Sequence, residues 1–256
     1  GLDAVPAVTL SDQAINELSA RSADYADSRH TVAPASSPYA MRLRRLVGDH
    51  RRQDGVAFNY KVYLDDTVNA FAMGDGTIRI YSGLMDLLDD GELRFVIGHE
   101  MGHVVKEHVR RKMQIAYAAS AIRKGAASQN SVLGDIARSS LGGFFELLLN
   151  AQFSQLEEKA ADDYGLAFLR REGYEPGHAV SALLSLAALG SDHTFLSSHP
   201  EPGQRARRLE LQLQGKAEPI EEVQRDFVQR LLAVGKKWLI LLYEWATSLF
   251  SVQLNS

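Results

Sequence analysis

The chain has 256 residues, of which 45% are apolar and 23% charged, so disorder is excluded as its main theme and a sizeable core is available. Its 28 basic residues against 32 acidic ones give a formal charge of −4, which supplies no global basic field for nucleic acid. With no cysteine there is no disulfide framework, thiolate metal site or cysteine nucleophile.

Residues 10–29 read as a polar surface helix capped by Ser11 or Asp12, with Ile15, Leu18 and Tyr25 at helical spacing. Pro34, Pro38 and the small residues between them mark a connector, and residues 39–52 a basic helix with a solvated face. From Phe58 to Tyr81 the period becomes two, with a hairpin turn at Gly74-Asp75-Gly76, which predicts a small meander of about three strands. A short helix follows over 82–88. Asp89 and Glu92 have the spacing of a capping box, and the helix they start is expected to run unbroken to Lys112. Residues 113–151, rich in Ala, Gly and Ser, read as helices with a loop near 125–131. Residues 152–190 read as two helices separated at Gly173 to Gly177. The fold class is therefore α+β and mainly helical. Its expected divisions are an N-terminal helical segment (1–57), a catalytic domain (58–215) and a helical tail (216–256).

The chemistry sits inside the capped helix, in His99-Glu100-Met101-Gly102-His103. Two histidines four apart project from one helical face, close enough to share one ion, and neutral imidazoles suit zinc. Glu100 lies beside them, placed to take a proton from a water that the metal activates. At this composition the motif is expected by chance only about 0.014 times. A third ligand is needed. Glu107 would lie about 12 Å beyond His99 along a continuous helix. His108 stands nine residues past His99, whereas the metzincin pattern needs a histidine at ten and a glycine at seven, where Val109 and Lys106 stand. A second helix must therefore supply the ligand. Glu158 is the best candidate, with Asp162 one turn later on the same face to accept a ring N–H from a ligand histidine. Ala160 and Ala161 let that helix approach. Downstream, His199 in Ser198-His199-Pro200 could donate to an oxyanion, with Arg205 orienting it or sharing the charge.

These residues together resemble a family of gluzincin endopeptidases. It includes CAAX prenyl proteases, HtpX-type heat-shock membrane proteases and periplasmic quality-control proteases of the BepA and LoiP type. The likeness is carried by Asn69-Ala70-Phe71, Gly83-Leu84, His99 to His103, Ser154 with Glu158 to Asp162, and Ser198-His199-Pro200 with Arg205, in that order over about residues 58–208. The resemblance implies a zincin-like domain with one zinc ion per chain held by His99, His103 and Glu158, with Glu100 as the base and His199 aiding the transition state. It also implies that Asn69, Ala70 and Phe71 lie on an edge strand along which an extended peptide pairs. Gln155 departs from the family, which often has an arginine after the serine. With no phosphate-binding Gly-rich loop, activity is expected to be independent of ATP, on peptides or unfolded chains. The resemblance places such a protein in the bacterial periplasm or envelope, as a lipoprotein or a peripheral membrane protein, in protein quality control.

Two other readings share the motif. A zinc exopeptidase would need a site that captures a chain terminus, for which the sequence has no signature. A non-catalytic, chaperone-like module holding zinc would have no use for Glu100. A latent protease, with His199 or a segment of 113–151 closing the metal's open position, is a further form of the first reading. In the tail, Trp238 to Tyr243 is wholly apolar, flanked by Lys236-Lys237 and by Glu244-Trp245. From Trp238 to Leu254 a helix would span about 25 Å, short of a bilayer's hydrocarbon core. Residues 227–254 are therefore expected to dock on protein or to contact a membrane peripherally.

Overall fold

A computed structural model describes residues 10–48, 50–124, 141–190 and 194–216. The expectations for the loop near 125–131 and for the tail from 217 onward lie outside those residues. Ten helices and five strands are seen among them: α1 (Asp12–Arg29), α2 (Pro38–Val47), β1 (Arg52–Gln53), β2 (Val56–Ala57), β3 (Asn59–Tyr63), β4 (Ala70–Ala72), β5 (Thr77–Tyr81), α3 (Ser82–Leu87), α4 (Asp90–Val105), α5 (His108–Lys124), α6 (Leu141–Asn150), α7 (Gln155–Arg171), α8 (His178–Ala187), α9 (Thr194–Ser198) and α10 (Pro202–Leu213). The class is α+β and mainly helical, as the sequence predicts. Among the described residues no helix is long and apolar enough to cross a membrane.

The sheet is not a meander. Its order is β3-β5-β4: β4 and β5 form the expected antiparallel hairpin, but β3 pairs parallel with β5, Asn59 opposite Thr77 and Tyr63 opposite Tyr81. Alternation identifies strands but not their partners, and the six residues between β3 and β4 carry the chain past β5 instead of turning it back. The hairpin turn depends on Gly76, whose φ is +92° and where a Cβ would lie 2.3 Å from the Ala57 carbonyl oxygen. β5 is central and buried along its whole length. Period two then sorts the side chains between two cores. Val62, Ala70, Ile78 and Ile80 face α4, α7 and α8, while Tyr63, Phe71 and Tyr81 face α1, α5 and α6.

Two other expectations change. The basic helix ends at Val47, where Gly48 at φ +34° takes the cap, and residues 52–57 form the small hairpin β1-β2. The metal-motif helix starts at the predicted capping box but stops at Val105. Glu107 then adopts a left-handed φ of +59° and α5 begins in a new direction. No glycine or proline marks this break, so the sequence gives no warning of it.

A partly buried ion cluster ties α1 to the sheet. Asp27 accepts hydrogen bonds from Arg79 Nε (2.8 Å), Lys61 Nζ (2.6 Å) and the Tyr63 hydroxyl (2.7 Å). Burial alone would raise the Asp27 carboxyl, but these donors outweigh it and hold it at about 2, below its ordinary 3.8. A depressed carboxylate contributes its stability above its unfolded pKa and loses it as pH falls through the folded value. Asp27→Asn is therefore expected to cost about 2 kcal/mol near pH 7. In thermal melts across the acid range, its deficit against wild type should shrink as pH drops from 3.8 towards 2. A deficit that does not change with pH would show that charge has no part in it.

Candidate metal centre and active site

α4 and α7 cross at unusually close range because the contact is made of small residues. A Cβ at Gly98 would meet Phe168 Cδ1 at 2.9 Å, one at Gly102 would meet Tyr164 Cβ at 2.9 Å, and one at Gly165 would lie 3.1 Å from the His99 backbone nitrogen. Ala161 fills the remaining space. This approach sets Glu158 and Asp162 against the two histidines. α7 is itself fixed at its start by a second capping box, Ser154 with Glu157, so Glu157 serves the helix and leaves Glu158 to turn inward.

His99 and His103 point their Nε2 atoms at one another across 3.0 Å. Glu158 Oε1 lies 3.2 Å from His103 Nε2, and its Oε2 lies 3.7 Å from His99 Nε2. His199, at the end of α9, brings Nδ1 to 3.3 Å from His99 Nε2 and 3.0 Å from Glu158 Oε1. All four donors are buried and lie within 4.8 Å of one another. A tetrahedral ion with ligands about 2.0–2.1 Å away holds its donors roughly 3.3 Å apart. The observed separations of 3.0–3.7 Å fit such an ion. Glu100, on the same helix, has its Oε1 buried with no hydrogen-bond partner and 3.4 Å from His199 Nε2.

The electrostatics suit a cation. Burial holds His99 at about 3 and also lowers His103 and His199, so the rings are neutral and able to ligate. Burial raises Glu100 to about 7. Burial would also raise Glu158 and Asp162, but the Arg205 guanidinium outweighs it and holds both carboxyls low. Two buried carboxylates, Glu158 and Asp162, thus share one guanidinium, which leaves negative charge for a divalent ion to neutralise.

Arg205 does not touch His199 as the sequence suggested. It donates through Nε to Asp162 Oδ2 (2.9 Å) and through Nη2 to Asp162 Oδ1 (2.6 Å), and its Nη1 pairs with Glu158 Oε2. Asp162 Oδ1 in turn lies 3.0 Å from His99 Nδ1. Gln155, in place of the family's frequent arginine, donates to Glu201 at 2.8 Å. Asn69 precedes β4, and its carbonyl accepts from Tyr81 N–H at 3.1 Å. Ala70 is buried in the core beneath the sheet. Phe71 lines a small cavity of about 30 Å³ together with Ala72, Met73, Glu100, Lys112, Phe153 and His199. Sequence reasoning missed the aromatic walls of this centre. Phe153 stacks on His103 with centroids 3.8 Å apart, and Phe195 stacks on His199 at 4.4 Å. It also missed His108, whose Nδ1 lies 3.0 Å from His103 Nδ1. No local pattern announces such contacts.

Residues 41–212 match Peptidase family M48. The chain belongs to peptidase family M48. Among M48-related proteins it is 42% identical to metalloprotease LoiP of Escherichia coli over 212 residues, covering 82% of this chain and 84% of that one. Metalloprotease YcaL of the same organism is 36% identical over 214 residues, with the same coverage. A beta-barrel assembly-enhancing protease from Yersinia pestis is 29% identical over 58% of this chain and 33% of its own length. As an M48 protein the chain is a zinc-dependent metalloendopeptidase acting on peptide substrates, and the buried cluster of His99, His103, Glu158 and His199 is able to hold the metal.

Proposed function

We propose that this chain hydrolyses internal peptide bonds of unfolded or misfolded proteins at a bacterial envelope, independently of ATP. The observation that supports it best is a single cavity lined by Glu100, by His199 of the buried cluster and by Phe71 and Ala72 of β4. β4 is an edge strand. Met73 N–H bonds to Thr77 and Tyr81 N–H bonds to Asn69, so alternation turns the odd-numbered residues of β4 towards β5. The N–H and C=O groups of Ala72 then face the open edge, where an extended chain can add as another strand, whereas the Ala70 N–H already donates to Asn69 Oδ1 at 3.0 Å. A segment already paired within a folded domain is not free to add in this way, which favours unfolded segments. The Yersinia relative's name, for a protease that enhances barrel assembly, agrees with a role in envelope quality control.

His99, His103 and Glu158 would hold zinc. When bound, zinc supplies Lewis acidity that polarises a carbonyl and lowers the pKa of a water towards about 7. Glu100 takes the proton of the attacking water and returns it to the departing amine, and its burial raises its basicity for that task. His199 offers an N–H to the developing oxyanion. Asp162 and Arg205 hold the ligands in place.

A second reading is favoured by His199 itself. With Nδ1 turned to the cluster and Nε2–H to the unpartnered Glu100 Oε1, it closes the fourth position and gives a latent site that substrate must open. One experiment serves both. The purified chain should cleave casein and a reduced, unfolded protein, spare that protein when folded, stop on chelation, and recover with zinc. Failure to cleave unfolded chains when fully zinc-loaded would overturn the first reading. Cleavage gained by His199→Ala would establish the second.

A further inference from the structure

Both motif histidines turn Nε2 towards the cluster, so each must find a partner for Nδ1 in a buried site. For His99 that partner is the Asp162 carboxylate. For His103 it is His108, Nδ1 to Nδ1 across 3.0 Å, with both rings buried and their planes 72° apart. A continuous helix cannot make this contact. Five residues at 3.6 per turn place a side chain roughly 140° around the axis from its predecessor. The break after Val105 removes that obstacle, with Glu107 in a left-handed conformation that costs a non-glycine residue about 1 kcal/mol or more.

We infer that His108 is the hydrogen-bond acceptor that holds His103 in its Nδ1–H form and so keeps Nε2 free for the metal. This rests on the ligand role proposed above for His103. Two facing imidazole nitrogens share one proton. If it sat on His108, His103 would carry its own proton on Nε2, pointing at Glu158 Oε1 3.2 Å away and blocking ligation. A ligand histidine's distal N–H partner fixes its tautomer and ring angle. Here one acceptor is a carboxylate and the other a neutral ring, so the two ligands are held by different means. His108 is thus a positioning residue.

The test compares wild type with His108→Phe, which keeps a ring but no acceptor, and His108→Asn, whose Oδ1 can take the place of Nδ1. Zinc affinity is measured by competition with a chromogenic chelator, and apo-protein melting reports the fold. His108→Phe should bind zinc roughly 10–100-fold more weakly, and His108→Asn should recover most of that loss. In zinc-loaded wild type with ¹⁵N-labelled histidine, the proton should reside on His103 Nδ1, with a coupling across the hydrogen bond to His108 Nδ1. Wild-type affinity in a folded His108→Phe, or an Asn variant as weak as Phe, overturns the inference. So does the proton found on His108, a result that needs no variant to fold. Wild type that takes up no zinc would instead overturn the metal centre, and this inference with it.

Discussion

Glu100→Gln is expected to lower peptide hydrolysis by roughly 10²–10⁴-fold while zinc content stays that of wild type. The exchange keeps the size of the side chain and removes only its ability to accept a proton. Glu100 is not one of the four clustered donors, so their spacing has no reason to change. Its carboxyl sits in the cavity beside Phe71, Lys112 and His199, and burial brings it to about 7, where taking and returning a proton are both accessible near neutrality. The measurement is steady-state cleavage of a fluorogenic peptide alongside metal analysis. Full activity with full zinc would remove Glu100 as the base, whereas loss of both would make it a structural residue.

Arg205→Leu is expected to destabilise the fold by about 3–5 kcal/mol and to abolish tight zinc binding. Arg205 is the only cation that bonds both Asp162 and Glu158 among the described residues, and all three side chains are buried. Its removal leaves two buried carboxylates with no guanidinium and only histidine rings as partners. Added zinc should restore part of the loss by neutralising Glu158, so melting with and without zinc separates the two roles. Arg205→Lys should rescue poorly, because a single ammonium cannot reproduce the two-pronged contact with Asp162. A folded Arg205→Leu that binds zinc normally would show that the carboxylates need no guanidinium.

What the sequence made legible was local. The pair His99 and His103 sits four residues apart on a capped helix, and Glu158 with Asp162 repeats that spacing, so each pair could be assigned to one face without coordinates. The joining of the two faces could be anticipated from the small residues between them. The sheet pairing could not, since alternation in β3 is satisfied equally by a parallel or an antiparallel neighbour. Nor could the turn at Glu107, which lacks the glycine that usually marks a left-handed residue, or the contact it creates between His108 and His103. Arg205 is legible as part of the site, but its bonds to Asp162 and Glu158 depend on how α10 lies against α7.

The cluster also joins positions far apart in the chain. His99 and His199 are a hundred residues apart and meet at 3.3 Å. An ion held by His99, His103 and Glu158 would tie α4 to α7 across the chain between them, lowering the entropy of the open chain much as a covalent cross-link does. Metal loading and the docking of α7 on α4 would therefore be coupled. Newly made chains short of zinc would hold α4 and α7 together less firmly, and would be more open to attack by other proteases.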